Sequence, residues 1–349
     1  MDLFQIENVE VLANHNHAGA KAPADVVQIA ETLGFKRMTV RTLLAQNVAE
    51  KVKKQLTSIK DWMQCGSAMT ENSVLLLQCP FWHHQINRYS VLADLKSKKN
   101  VKIIALVHDV EELRGAMYND YLKSEFQEML SLADCIIVHN PVMKQFFLNK
   151  GVSEDKLVVL QIFDYLQPSD TYKKPRFERA ISIAGNLDVT KSKYLEQLSD
   201  IPEIGIHMYG PNFTLESNER IQYHGSFPTD QIASELTGGF GLVWDGESIE
   251  SCTGQFGNYL RYNNPHKLSL YLSSGLPVVI WSEAAEAAFV KKHQVGVCVA
   301  SLRELTSVLG NLTVSEYEQM AENVKVIRQK LISGEYTKEA LQKALKIVE

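Results

Sequence analysis

Asn263-Asn264-Pro265-His266-Lys267-Leu268-Ser269-Leu270-Tyr271-Leu272-Ser273-Ser274-Gly275-Leu276-Pro277-Val278-Val279-Ile280-Trp281 reads as one helix followed by one strand. Asn264 suits an N-cap and Pro265 a first helical position. Leu268, Tyr271 and Leu272 repeat at helical spacing. Gly275 closes the helix, Pro277 blocks its continuation, and Val278 to Trp281 form a short strand of the buried type. Lys267 falls in the first turn, where the macrodipole disfavours a cation by a few tenths of a kcal/mol. Free backbone N–H groups beside a lysine fit the docking of an anion such as a diphosphate. A solvated surface lysine is the plainer alternative.

The chain has 349 residues, enough for two domains of ordinary size. Its hydrophobic fraction of 45% and charged fraction of 22% are those of a globular protein. A net charge of −5 argues against a general nucleic-acid or membrane-surface binder and leaves room only for local basic patches. No apolar run is long enough to span a bilayer, and Met1-Asp2-Leu3-Phe4-Gln5 lacks the marks of a signal peptide. Cys65, Cys79, Cys135, Cys252 and Cys298 are odd in number and widely spaced. They read as reduced thiols of a cytoplasmic protein, and no CxxC or HExxH spacing suggests a metal site.

Strand-like and helix-like segments alternate outward from this stretch, which predicts an α/β protein with parallel sheets. Toward the N-terminus, Val26, Ile29, Ala30 and Leu33 make a helical stripe ending near Gly34. Continuous apolar strands are expected at Val74 to Gln78, Val101 to Val107 and Cys135 to Val138. They end in Pro80-Phe81-Trp82-His83-His84, His108-Asp109-Val110-Glu111 and His139-Asn140. Ligands of open α/β sheets bind outside the carboxyl ends of strands, so these ends read as the rim of a site.

Residues 163 to 178 are polar and aperiodic and read as a linker. A second α/β series follows. Ala180 to Ala184 is a strand ending in Gly185-Asn186-Leu187, followed by a helix with Tyr194, Leu195 and Leu198. Ile204 to Tyr209 is a strand stopped by Gly210-Pro211, and Phe240 to Trp244 is another, ending in Asp245-Gly246. A late strand spans Gly296 to Val299, and the tail from Ser315 is helical with a break near Gly334.

These motifs resemble GT-B glycosyltransferases that use nucleotide sugars. The closer likeness is to the group that holds streptococcal adhesin glucosyltransferases and bacterial β-1,6-galactofuranosyltransferases. It is carried by Asn16-His17-Ala18-Gly19-Ala20-Lys21-Ala22, His108 to Arg114, Gly185-Asn186-Leu187, Gly239 to Gly246 and Asn264 to Trp281. The resemblance implies two Rossmann-like domains facing across a cleft, with the C-terminal helix crossing back to the N-terminal domain. The domains would be an acceptor-binding domain over 1–165, a nucleotide-sugar-binding domain over 166–314, and C-terminal helices over 315–349. It also implies that no metal or other cofactor is needed, because protein cations and helix ends hold the diphosphate of the UDP-sugar.

Lys267 is the foremost diphosphate contact, and its truncation should cost about 1.5–3 kcal/mol. Asn264 and His266 stand beside it, although Asn264 serves equally as an N-cap. Gly185 and Asn186 admit a ligand to the backbone or make a plain tight turn. Tyr209 and Gly210 are placed to stack on or flank a uracil, or to end a strand. Arg179 is a phosphate partner or an exposed arginine. Gly254 to Tyr262, with Asp245 before it, reads as a flap over the donor or as a simple connection. Asn16, His17 and Gly19 form a glycine-bearing turn that offers backbone N–H groups to phosphate or sugar. Inverting transfer needs a base at the acceptor hydroxyl: Asp109, with His108 as the alternative, or Asp109 caps the next helix instead. His83 and His84 stand on the acceptor side.

The expected activity is transfer of glucose or galactofuranose from a UDP-sugar to a GlcNAc- or hexose-terminated glycan. Competing classes are a UDP-sugar 2-epimerase, which needs no acceptor, and a scaffold subunit that keeps the fold without the chemistry. The resemblance implies self-association; a peripheral membrane association is a separate expectation. Donor hexose, acceptor, linkage and stereochemistry stay open at this level.

Overall fold

Parallel strands covered on both faces are largely apolar, and each sheet of this chain has such strands, Cys135–Val138 in one and Val278–Trp281 in the other. The computed structural model describes residues 1–11, 20–168 and 172–349. Asn16, His17 and Gly19 lie outside the described residues. The chain divides into two compact units. The first holds the N-terminal strand, Pro23–Leu160 and Thr337–Glu349; the second holds Gln161–Tyr336 together with the start of the first helix at Lys21 and Ala22.

In the first unit, β1 (Leu3–Val11), β2 (Lys36–Leu43), β3 (Val74–Cys79), β4 (Lys102–Val107), β5 (Cys135–Val138) and β6 (Leu157–Val159) form one sheet. Their order is β2-β1-β3-β4-β5-β6 and every pairing is parallel. The central strands are buried almost end to end, as in Val74-Leu75-Leu76-Leu77. The helices between them begin where an asparagine caps the first turn. Asn47 accepts from the Glu50 N–H, Asn119 from Leu122, and Asn140 from Val142 and Met143. Each such cap contributes about 1 kcal/mol.

In the second unit, β7 (Arg176–Ala184), β8 (Gly205–Tyr209), β9 (Ile221–Tyr223), β10 (Gly238–Val243), β11 (Val278–Trp281) and β12 (Gly296–Val299) form another six-stranded sheet. The order β12-β11-β10-β7-β8-β9 is that of a Rossmann dinucleotide fold read from its far edge. All pairings are parallel, in register from Ala180↔Gly205 to Ala184↔Tyr209 along β7 and β8. The helix Val314–Ser333 starts with a capping box between Thr313 and Glu316 and ends at Gly334, whose φ of 76° stops it. The expected break near Gly334 is therefore a C-cap.

Several local expectations need correction. The helix after Asn263-Asn264 spans His266–Ser274 with Pro265 at the N-cap, so Asn264 is not the cap. Its side chain is instead drawn to the Gln161 carbonyl at 3.0 Å. The connection expected at Gly254 to Tyr262 contains a helix, Gly254–Tyr259, in which Gly257 packs against Cys252 and the Asp245 carbonyl. Residues 163–165 are buried, with the Phe163 carbonyl accepting from Ser269 Oγ at 2.6 Å.

Candidate functional site

The second sheet reverses its order between β7 and β10, and ligands of such sheets bind outside the carboxyl ends of the two strands at that point. The helix His266–Ser274 is locked beneath them by Tyr271. The Tyr271 hydroxyl accepts the Ala184 N–H at the end of β7, at 2.8 Å. On β10, Gly241 leaves room for the ring: a Cβ there would fall 2.0 Å from Tyr271 Cγ. Residues four apart share a helix face, so Lys267 stands one turn before Tyr271 and emerges where β7 and β10 end. Its Nζ lies 2.7 Å from Asp245 Oδ1 and 3.3 Å from the Trp244 carbonyl. Both side chains of this pair are about one quarter exposed, at 25% and 27%.

The loop after β7 approaches the same point. A Cβ on Gly185 would sit 3.7 Å from Lys267 Cε. Gly210, after β8, has a φ of 142°, and a Cβ on it would stand 1.8 Å from the Gly185 carbonyl oxygen. Only glycine fits there. Asn186 Oδ1 accepts from the Asp188 N–H at 3.1 Å and from Asn212 Nδ2 at 2.8 Å, tying the two loops together. The structure thus brings Gly185, Asn186, Gly210, Asp245 and Lys267 to one place.

Tyr209 reaches the same strand ends but is buried, with its ring stacked on His224 at 4.7 Å and an interplanar angle of 13°. A free stacking face for uracil is not what it offers. The sequence reading missed the neighbouring pair Phe213 and Tyr223, stacked at 4.3 Å and 5°. Tyr223 Oη donates to the Gly210 carbonyl at 3.0 Å, so this partly exposed aromatic platform is fixed to the glycine loop. No sequence periodicity joins Phe213, in a loop, to Tyr223, the last residue of the three-residue strand β9.

Two further candidates are placed elsewhere. Arg179 lies five residues before the end of β7 and donates to the carbonyls of Leu309 and Gly310, at the C-terminus of the helix Leu305–Asn311. It satisfies helix carbonyls rather than phosphate. His266 packs its ring against Tyr165 at 5.0 Å, and its buried Nε2 has no hydrogen-bond partner. Burial, helped by the charge of Lys21, pulls its pKa down to about 4. A neutral imidazole of this kind supports the helix start through packing. Gly254, with a φ of 73°, opens the helix Gly254–Tyr259, and Tyr262 is in the turn that follows.

In the first unit, β4 ends at Val107 and delivers His108 and Asp109 to its carboxyl edge. His108 Nε2 donates to Gln78 Oε1 at 2.7 Å. Asp109 Oδ2 accepts from Arg114 at 2.8 Å. Val110 occupies the N-cap of the helix Glu111–Arg114, so Asp109 stands one residue ahead of the cap. Asp109 lines a cavity of about 270 Å³ whose charged lining also includes Glu111, Glu112, Glu125, Lys123 and Lys150. His83 stands 3.3 Å from Glu10, and His84 packs edge-on against Tyr121. Burial lowers the His83 pKa. Among the described residues, no group of three or more His, Cys, Asp or Glu side chains is arranged to hold a metal ion.

Two all-parallel Rossmann-type units, the second with a lysine at its switch point, define the GT-B fold. HepE of Anabaena, solved in complex with UDP-glucose, has the same architecture, with a TM-score of 0.59 at 12% identity over 98% of this chain and 99% of that one. Glucosyltransferase 3-like family models match the chain in two parts, the N-terminal domain over residues 5–162 and the C-terminal domain over 181–344. The β-1,6-galactofuranosyltransferase WbbI of Escherichia coli is 34% identical over 94% of both chains. Glucosyltransferase 3 of Streptococcus gordonii is 25% identical over 92% of both. The chain belongs to the glucosyltransferase 3-like family of glycosyltransferases.

Proposed function

We propose that this enzyme transfers a hexose, glucose or galactofuranose, from a UDP-sugar to a GlcNAc- or hexose-terminated glycan during synthesis of a glycoprotein or cell-surface polysaccharide. The observation that carries the reading is Lys267, a partly exposed cation held at the switch point of a Rossmann-order sheet, beside the backbone of Gly185. A relative named as a galactofuranosyltransferase and another named as a glucosyltransferase support the two choices of sugar.

On this reading the second unit takes the donor. Lys267 and the N-terminal turn of the helix His266–Ser274 meet the diphosphate. Phe213 and Tyr223 flank the base. The first unit takes the acceptor, and Asp109 receives the proton of its hydroxyl, with His108 as the alternative. The hydroxyl oxygen bonds to the anomeric carbon while the bond from that carbon to UDP breaks. Its electron pair leaves on the β-phosphate, where Lys267 stabilises the new charge. The enzyme works in the cytoplasm without a metal ion.

The test is UDP release from UDP-glucose, UDP-galactose, UDP-galactofuranose and UDP-GlcNAc, with and without a GlcNAc-terminated acceptor, in the presence and absence of EDTA. Acceptor-dependent, EDTA-resistant release with one donor, lost in Lys267→Ala, is the expected result. Donor turnover without acceptor would favour an epimerase. No release and no UDP binding would leave a scaffold with this fold.

A further inference from the structure

The helix Val48–Ala68 turns two faces outward, and one of them is apolar. Val48, Val52, Leu56 and Met63 are 77%, 53%, 61% and 62% exposed. At 100° per residue these positions fall within one arc of the helix, while Ser58, Asp61, Trp62 and Cys65 form the buried face. The stripe runs about 22 Å along the axis. It widens at one point. Gln55 donates to the His84 carbonyl at 2.9 Å and accepts from the Ile86 N–H at 3.2 Å, which fixes the exposed Ile86 beside the helix. Exposed apolar groups gathered in this way mark an interaction surface.

Lys53 and Lys60 border the stripe and, with Arg41, Val52 and Leu56, line a shallow groove along it. Lys51 and Lys54 lie on the same helix but, at 100° per residue, on the side of Ser58 and Cys65, so Lys53 and Lys60 are the lysines beside the stripe. The acidic residues there do not offset these lysines. Asp61 is buried against Arg41 at 2.7 Å, and Glu50 is turned back onto the Gln46 N–H and Asn47 at the helix start. In a chain of net charge −5, this surface is locally basic and apolar together.

We propose that this face of the first unit docks on an anionic lipid bilayer, with Val52, Leu56 and Met63 entering the headgroup boundary and Lys53 and Lys60 meeting lipid phosphates. Apolar side chains bordered by lysines along one helix are the chemistry of an interfacial helix lying in the plane of the membrane. A second copy of the chain is the poorer occupant. A two-fold contact would set this helix against itself and bring lysines against lysines. An anionic surface instead complements Lys53 and Lys60, which line the groove along the stripe.

The experiment is flotation of the full chain with phosphatidylcholine vesicles and with vesicles that also carry phosphatidylglycerol, at low and high salt. Binding is expected on the anionic vesicles only, and it should weaken as salt screens the lysines. Lys53→Gln with Lys60→Gln should lower the partition coefficient about 30-fold, from roughly one lysine's worth of surface attraction each. Leu56→Glu should abolish flotation with an unchanged thermal unfolding midpoint, because the side chain is exposed. Absence of flotation on anionic vesicles at low salt would overturn the proposal. So would equal binding to neutral vesicles, flotation untouched by these substitutions, or a wild-type dimer that Leu56→Glu splits.

Discussion

Lys267 Nζ rests 2.7 Å from Asp245 Oδ1, so the cation at the switch point is already paired before any anion arrives. A pair this exposed contributes only about 0–1 kcal/mol. A charge-assisted contact to a diphosphate is worth more, about 1.5–3 kcal/mol. On the proposed function, Lys267 exchanges or shares partners when a nucleotide docks. Lys267→Ala should weaken UDP binding about 10- to 100-fold. Asp245→Asn removes the competing carboxylate, so UDP should bind as tightly or more tightly. The double variant should match Lys267→Ala alone. Titration calorimetry on the four proteins checks this, and an Asp245→Asn loss as large as that of Lys267→Ala would refute the exchange.

Phe213 and Tyr223 are stacked at 4.3 Å, and Tyr223 is hydrogen-bonded to the glycine loop that meets β7. Stacking of a base on an aromatic ring is worth about 1–3 kcal/mol. Tyr223→Ala should raise the Kd for UDP about tenfold and leave inorganic pyrophosphate binding unchanged. Equal losses for both ligands would show that the platform acts on the loop and not on the base.

Gly210 cannot be replaced without moving backbone. Its φ of 142° and the 1.8 Å gap to the Gly185 oxygen exclude a side chain. Gly210→Ala should cost about 1–3 kcal/mol in backbone strain alone. Urea unfolding should show a lower midpoint, accompanied by weaker UDP binding because Gly185 must shift. A variant of wild-type stability would contradict the tight packing of these two loops.

Two buried histidines link stability to pH. Burial holds the His139 imidazole neutral, with its pKa lowered from 6.5 to about 4, and His266 is held likewise. Below pH 6.5 the unfolded chain takes up protons that the native state refuses. The contribution is complete above the unfolded value and is lost as pH falls toward 4. Each group accounts for about 3 kcal/mol across that window. Chemical unfolding at several pH values should show the decline, and His139→Gln should flatten its share. A decline unchanged by that substitution would place the sensitivity elsewhere.

The legible parts of this chain are those where one residue type answers to one environment. β5 and β11 are apolar from end to end, and β3 is so except at Gln78, because sheet neighbours and helices cover both faces. β1 escaped notice because Gln5, Glu7, Asn8 and Glu10 interrupt it. Its partners lie elsewhere: Gln5 donates to the Val27 carbonyl, and Asn8 accepts from Thr42. β2 is an edge strand carrying Lys36, Arg37 and Arg41, charges that deter edge pairing and blur the pattern. β6 and β9 have three residues each, too few for a period. Lys267 was legible because a cation is out of place in a first turn. The facts that Arg179 serves a helix end and that His224 covers Tyr209 depend on segments far away in sequence.

On the proposed function Asp109 and His108 are both candidates for the base, and their contacts differ. His108 is tied through Nε2 to Gln78, whose own amide donates to the Pro23 carbonyl at 3.2 Å. This chain fixes the ring and occupies its Nε2 proton. Asp109 lines the cavity beside β4 with one carboxylate oxygen on Arg114. An aspartate held by a guanidinium is oriented for proton transfer, and loss of a general base costs about 10²–10⁴-fold. Asp109→Asn should therefore lower kcat at least 100-fold with the Kd for UDP unchanged. His108→Asn should cost less, because the ring acts through position. Arg114→Met should lower kcat by freeing the Asp109 side chain, and Arg114→Lys should restore part of it. If His108→Asn proves the more damaging change while Asp109→Asn retains activity, the histidine is the base and Asp109 serves the structure of the loop.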